Sequence, residues 1–156
     1  MGDMNVEQIN VFLMAATQVM KDMCQLQLSV GKPYVKPTEF DKESIVVSIG
    51  ITGEIRGQVL LVFDTAVACD IASKMCFTQI TQLDDLSISA LSELGNMVLG
   101  NAATVMSTKG IGIDITPPSI IQGDFRLASA YAKNICIPLS YDEDKIIELD
   151  ISLRKE

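Results

Sequence analysis

The 156-residue chain is 48% hydrophobic and carries 20 acids against 12 basic residues, a net charge of −8. That content sustains one substantial core, hence a single domain over residues 1–156, and the charge argues against nucleic acid, whose binding rests on Lys and Arg neutralising phosphates. Histidine is absent, which removes Ser-His and Cys-His nucleophile pairs and the usual zinc sites. No run approaches the roughly 20 apolar residues of a membrane span. The first residues lack a signal peptide's basic start, and Val6 stands where a myristoylation signal wants a hydroxyl, so a cytoplasmic protein is expected.

In chain order, residues 6–23 are predicted helical, because Ile9, Phe12, Ala16, Val19 and Met23 share a face. An extended stretch over 27–35 follows, bent at Gly31, Lys32 and Pro33. Residues 44–51 and 58–63 read as strands joined through 53–57, a hairpin. Asp64 or Thr65 can cap a helix reaching about Cys76, and Asp84 or Asp85 can cap a long helix that ends before Gly110. Residues 111–115 read as a strand, after which Pro117 and Pro118 prevent helix and enforce extension. The last pair of strands is expected over 135–140 and 145–153. In the second, Ile147, Leu149, Ile151 and Leu153 alternate with Glu148, Asp150 and Ser152, which predicts one wet face.

The expected architecture is α+β, with two long helices packed on a largely antiparallel sheet and strand hairpins in each half. Cys24, Cys69, Cys76 and Cys136 show no Cys-x-x-Cys spacing and read as buried reduced thiols. Gly110 and Gly112 follow a helix and do not open one, so no dinucleotide fingerprint is supported. Scattered Lys32, Lys36, Arg56 and Lys109 are solubilising charges with no catalytic assignment.

The chemistry-bearing pattern lies on the second long helix. At about 100° per residue, Leu91, Gly95, Val98, Ala102 and Val105 form its apolar stripe. Glu93 and Asn96 point about 140° to 200° away from Leu91 and face outward together. A lone outward Glu is ordinarily just a solvated charge. Here Ser89 lies one turn before Glu93 and Gly100 one turn after Asn96, so small side chains leave room for a docking partner. Gly95 is expected to serve close packing. Gly100, which costs up to about 1 kcal/mol in a helix interior, has no such role on the outer face.

The two long helices echo each other. Glu7, Asn10, Leu13, Ala16, Val19 and Met20 recur at one constant offset as Glu93, Asn96, Leu99, Ala102, Val105 and Met106, suggesting two halves about a pseudo-two-fold axis. Glu7 and Asn10 thereby become a second candidate site. Met14 stands where the other helix has Gly100, and Glu7 has a plain role at the positive end of the helix dipole, so a structural reading ranks ahead of a catalytic one there.

Ser89, Glu93 and Asn96 fit a Ser/Asp-x-x-x-Glu-x-x-Asn pattern, the last two inside the run from Ser92 to Met97, and the chain resembles the CheC/CheX/FliY phosphatases of bacterial chemotaxis. It is most similar to the CheX branch. Further similarity lies at Gly31-Lys32-Pro33, at Ile49-Gly50-Ile51-Thr52-Gly53 and at Asp114-Ile115-Thr116-Pro117-Pro118. The resemblance implies a homodimer with one working Glu/Asn pair that hydrolyses the aspartyl phosphate of a CheY-type response regulator. Glu93 and Asn96 become the catalytic pair, with Ser89 and Gly100 at the partner contact. It further implies that the chain binds no cofactor and that the receiver supplies the divalent metal, Mg2+.

Phosphoryl transfer chiefly requires positioning and charge neutralisation, and an amide can both donate and accept. Asn96 would orient a water for in-line attack while Glu93 pairs with a partner lysine. One rival reading is a non-catalytic module that binds a receiver or flagellar switch component through the same face; binding without faster phosphate loss would mark it. Another is a structural dimer module, for which Asn96→Ala would change neither binding nor dephosphorylation. A self-contained hydrolase is disfavoured because no two acids mark a cleft.

Overall fold

The computed structural model describes residues 5–126 and 133–155. Helix α1 (Val6–Cys24) starts where the Asn5 side chain accepts the Glu7 N–H at 2.8 Å, and stops at Gln25, whose φ of 55° is left-handed. The predicted extended stretch becomes two short strands, β1 (Ser29–Val30) and β2 (Tyr34–Val35), separated by the expected bend. Gly31 fits that bend because a Cβ there would come 2.7 Å from Pro138 Cγ. After β3 (Glu39–Phe40), strands β4 (Ser44–Gly53) and β5 (Ile55–Asp64) form a tighter hairpin than expected, with Glu54 alone between them. Gly57 reads as a turn residue in sequence but lies inside β5, where a Cβ would collide with the Ser152 carbonyl oxygen of the neighbouring strand.

Asp64 caps α2 (Thr65–Cys76) by accepting the Val67 N–H at 2.8 Å. Helix α3 (Asp85–Thr108) leads to β6 (Ile113–Ile115), β7 (Ser119–Gln122), β8 (Phe125–Arg126), β9 (Ile135–Tyr141) and β10 (Lys145–Lys155). The main sheet runs β1-β9-β10-β5-β4-β6, with β2 also on β9 and β7 also on β4. Every pairing is antiparallel. Two hairpins, β4-β5 and β9-β10, meet through the central β5-β10 pair, and each is flanked by the short strands of the other half. The same order of long helix, two short strands and hairpin thus occurs twice, which gives the sequence echo a two-fold form.

One sheet face and the three helices enclose the core, built around Phe12, Phe63, Leu91, Leu94, Leu99 and Met106, all fully buried. The two α3 glycines differ sharply. At Gly95 a Cβ would lie 2.6 Å from Val47 Cγ1, so this glycine brings the helix onto β4, whereas a Cβ at Gly100 meets nothing within 4 Å. Helix propensity favours Ala over Gly by about 1 kcal/mol at either position, but overpacking a tight core costs about 1–3 kcal/mol. Gly95→Ala is therefore expected to destabilise by about 1 kcal/mol and Gly100→Ala to stabilise by up to about 1 kcal/mol, as read from urea melts.

The predicted wet face of the last strand is corrected. Glu148 is half-buried and ion-paired to Lys36 at 3.0 Å, while Asp150 and Ser152 are buried. Asn134 donates to Asp150 Oδ2 at 3.2 Å and accepts from Ser152 Oγ at 3.0 Å. Farther along the same face, the small β3-β8 sheet lays Phe40 and Phe125, with ring centroids 5.0 Å apart, over Val46, Leu60 and Val62. Alternation identified which residues share a face; segments distant in sequence cover it.

Candidate functional site: a groove beside helix α3

A reciprocal capping box sets the start of α3. Ser87 N–H donates to the Asp84 carboxylate at 2.9 Å and Asp84 N–H donates to Ser87 Oγ at 2.7 Å. The Ser87 backbone and hydroxyl hold the Asp84 carboxyl below its usual range. With Leu91, Leu94, Gly95, Val98 and Ala102 buried on one side, Ser89, Glu93 and Asn96 are exposed on the other, as expected. Among the described residues, neither the Glu93 nor the Asn96 side chain makes a hydrogen bond or ion pair, so both remain available to an incoming molecule.

These side chains line a groove of about 460 Å³. Its helical side is Ser89, Ser92, Glu93 and Asn96; the opposite side is Ile115, Thr116, Pro117 and Pro118. Gly100 lies one turn beyond Asn96, half-buried, with open space where a side chain would stand. Sequence reasoning missed Ser92 and the opposing wall as parts of the site. The Pro-Pro step signalled extended, non-helical chain, but not what that chain faces.

Glu7 and Asn10 lie elsewhere, in a separate cavity of about 430 Å³ between α1 and α3 that Met14, Val105 and Lys109 also line. Lys109 Nζ sits 3.3 Å from the Glu7 carboxylate, and Met14, 69% exposed, lines the same cavity. The structure therefore does not bring the two Glu/Asn pairs together, and the first pair has its acid occupied.

All four cysteines are free; Cys24, Cys69 and Cys136 are buried as expected, while Cys76, expected to be buried, is half-buried. Burial first of all pushes the Cys24 thiol up to about 11 and the Cys136 thiol up to about 12, which leaves them protonated at neutral pH. Cys136, Glu148 and Asp150 place ligand-type atoms within 4.8 Å of one another. The Lys36 ammonium already supplies the positive charge beside Glu148.

The family model described as chemotaxis phosphatase CheX matches residues 45–140. The CheY-P phosphatase CheX of Thermotoga maritima is 28% identical over 152 residues, covering 97% of this chain and 98% of that protein. A crystal structure of a CheX–CheY–BeF3–Mg2+ complex from Borrelia burgdorferi aligns at a TM-score of 0.83 and 31% identity, covering 97% of this chain and all of that one (100%). A CheC-like superfamily protein from Shewanella sp. PV-4 aligns at a TM-score of 0.86 and 28% identity, covering 97% and 99% of the two chains. The match takes in β4 to β9 and with them the whole of α3 and its groove: the chain belongs to the chemotaxis phosphatase CheX family.

Proposed function

We propose that this protein, acting as one domain, hydrolyses the aspartyl phosphate of a CheY-type response regulator at the α3 groove. The observation that carries this reading is the exposed, unengaged Glu93 and Asn96 side by side on a rigid helix, open to another molecule. Asn96 binds the attacking water through its amide and aims it at phosphorus, opposite the Asp carboxylate that leaves. The water oxygen bonds to phosphorus, the acyl P–O bond breaks, and the products are inorganic phosphate and the free receiver carboxylate. Glu93 pairs with a lysine beside the acyl phosphate and fixes the register of docking. An exposed ion pair contributes only about 0–1 kcal/mol, so the wider contact surface carries most of the affinity. Ser89 and Gly100 keep the approach to the pair clear.

The groove offers one carboxylate, an amide and hydroxyls, which do not form an oxygen cage for a divalent ion. The metal is therefore assigned to the receiver, where it neutralises phosphoryl charge. A homodimer is proposed too, in keeping with the exposed Tyr34 and Val35 on edge strand β2, with sedimentation as its check. Among the described residues no helix is long and apolar enough to cross a membrane, and cytoplasmic action on a soluble receiver is the proposed setting.

The test is phosphate release from a phosphorylated CheY-type receiver with and without the protein. Acceleration supports the reading; decay at the receiver's own rate, with binding retained, would instead favour the non-catalytic module. The Glu7/Asn10 pair is expected to be dispensable. In the same assay Glu7→Ala and Asn10→Ala should keep kcat/KM within about twofold of wild type, since loss of the exposed Lys109 pair affects stability by no more than about 1 kcal/mol.

A further inference from the structure

Strands β6 and β7 both pair with β4, but they are out of step. Ile51 faces Ile115 and Ser48 faces Ser119, so Ile49 and Gly50 on one strand are opposed by Thr116, Pro117 and Pro118 on the other. This two-against-three count is a β-bulge, a device that redirects a strand and recurs beside active sites. Two prolines without N–H groups cannot close the ladder. Thr116 closes it instead: its N–H donates to the Gly50 carbonyl at 3.0 Å, and its Oγ1 accepts the Gly50 N–H at 2.8 Å and donates to the Pro117 carbonyl at 3.2 Å. Gly50 admits this contact because a Cβ there would already stand 3.1 Å from Thr116 Cγ2.

We propose that the bulge at residues 115–118 is the second docking wall for the phosphorylated receiver, and that Thr116 is a positioning residue that holds this wall facing Glu93 and Asn96. The inference rests on the phosphatase reading and deepens it. The occupant follows from continuity, since the bulge and the Glu/Asn pair line one groove. Prolines present a surface whose backbone is already fixed, so little conformational freedom is lost on contact. The contrast with the echoed helix points the same way. The bend at Gly31, Lys32 and Pro33 holds the equivalent place in the first half, yet it is absent from the lining of the Glu7/Asn10 cavity. There the opposing side is formed by Asn101, Val105 and Lys109 from the end of α3 instead of a strand bulge.

The wall touches the receiver but no reacting atom, so it acts on docking. In phosphate-release kinetics with a CheY-type receiver phosphorylated by acetyl phosphate, Thr116→Val keeps the side-chain shape but removes both Oγ1 bonds. It should raise KM about tenfold with kcat within about twofold, and Thr116→Ser should restore the wild-type KM. Pro117→Gly loosens the exposed wall without deleting a hydrogen bond and should give the same KM increase, which keeps the test informative if Thr116→Val folds poorly. A wild-type KM in both Thr116→Val and Pro117→Gly, or a fall in kcat at constant KM, would overturn the wall. Absence of turnover by the wild-type protein would overturn the phosphatase reading itself, a separate result.

Discussion

Replacing Asn96 with Ala is expected to lower kcat for phosphate release about a hundredfold, a loss of about 2.7 kcal/mol of barrier reduction, while KM stays within about twofold. The amide lies on the exposed face of α3, so its removal leaves no buried group unsatisfied and the melting temperature should not move. What disappears is the group that holds water in line, and an oriented nucleophile readily accounts for a barrier change of this size. Glu93→Ala should differ in kind. Its role is to register the partner through an exposed ion pair of about 0–1 kcal/mol, so KM should rise by up to about fivefold with a much smaller change in kcat. Steady-state assays at varied receiver concentration separate the two. Equal loss of kcat in both variants would mean that Glu93 also acts in the chemical step.

The second large effect is on stability and concerns Asp150, fully buried in β10. Burial pushes its carboxyl up to about 6 and the Glu148 charge adds to this, against the lowering influence of Cys136, Asn134 and Lys36. One carboxylate oxygen, Oδ1, has no hydrogen-bond partner. The folded protein therefore holds this proton more tightly than the unfolded chain does. Below about pH 4 both states are protonated and the group is neutral in both. As pH rises from about 4 to 6 the unfolded chain ionises first, so stability falls, and above about 6 the full cost is present, an upper figure of about 3 kcal/mol. Asp150→Asn keeps the shape without the ionisation. Relative to wild type, it should be more stable at pH 7.5 than at pH 4 by up to about 3 kcal/mol, measured by urea unfolding at the two pH values. A stability difference that does not change between those pH values would show that Asp150 is not ionising inside the fold.

The helical elements and the outward placement of Glu93 and Asn96 were legible because their information is local. Asp84 sets the helix start, the 3.6-residue period separates Leu91, Gly95 and Val98 from Glu93 and Asn96, and small residues mark the open approach. The apolar stripe was right down to Gly95, whose close packing turned out to be against Val47 of β4. Features decided by chain segments far apart were not legible. The two-residue strands β3 and β8 exist only because Glu39 meets Arg126 and Phe40 meets Phe125. The burial of Asp150 and Ser152 depends on Asn134, and a period of two cannot report what covers a face. The wall of the groove depends on Thr116 bonding to Gly50, 66 positions away. Gly57 was misread as a turn because a glycine required by close strand approach looks the same in sequence as one required by a reversal.

The central claim is that the Asn96 amide accelerates phosphate loss from a docked receiver, and single-turnover decay of the acyl phosphate with this protein in excess over a phosphorylated CheY-type receiver tests it most directly. Wild-type protein should shorten the acyl-phosphate lifetime about a hundredfold or more, whereas saturating Asn96→Ala should bind the receiver yet leave decay at the rate of the receiver alone. Decay with saturating Asn96→Ala as fast as with wild type would contradict the account.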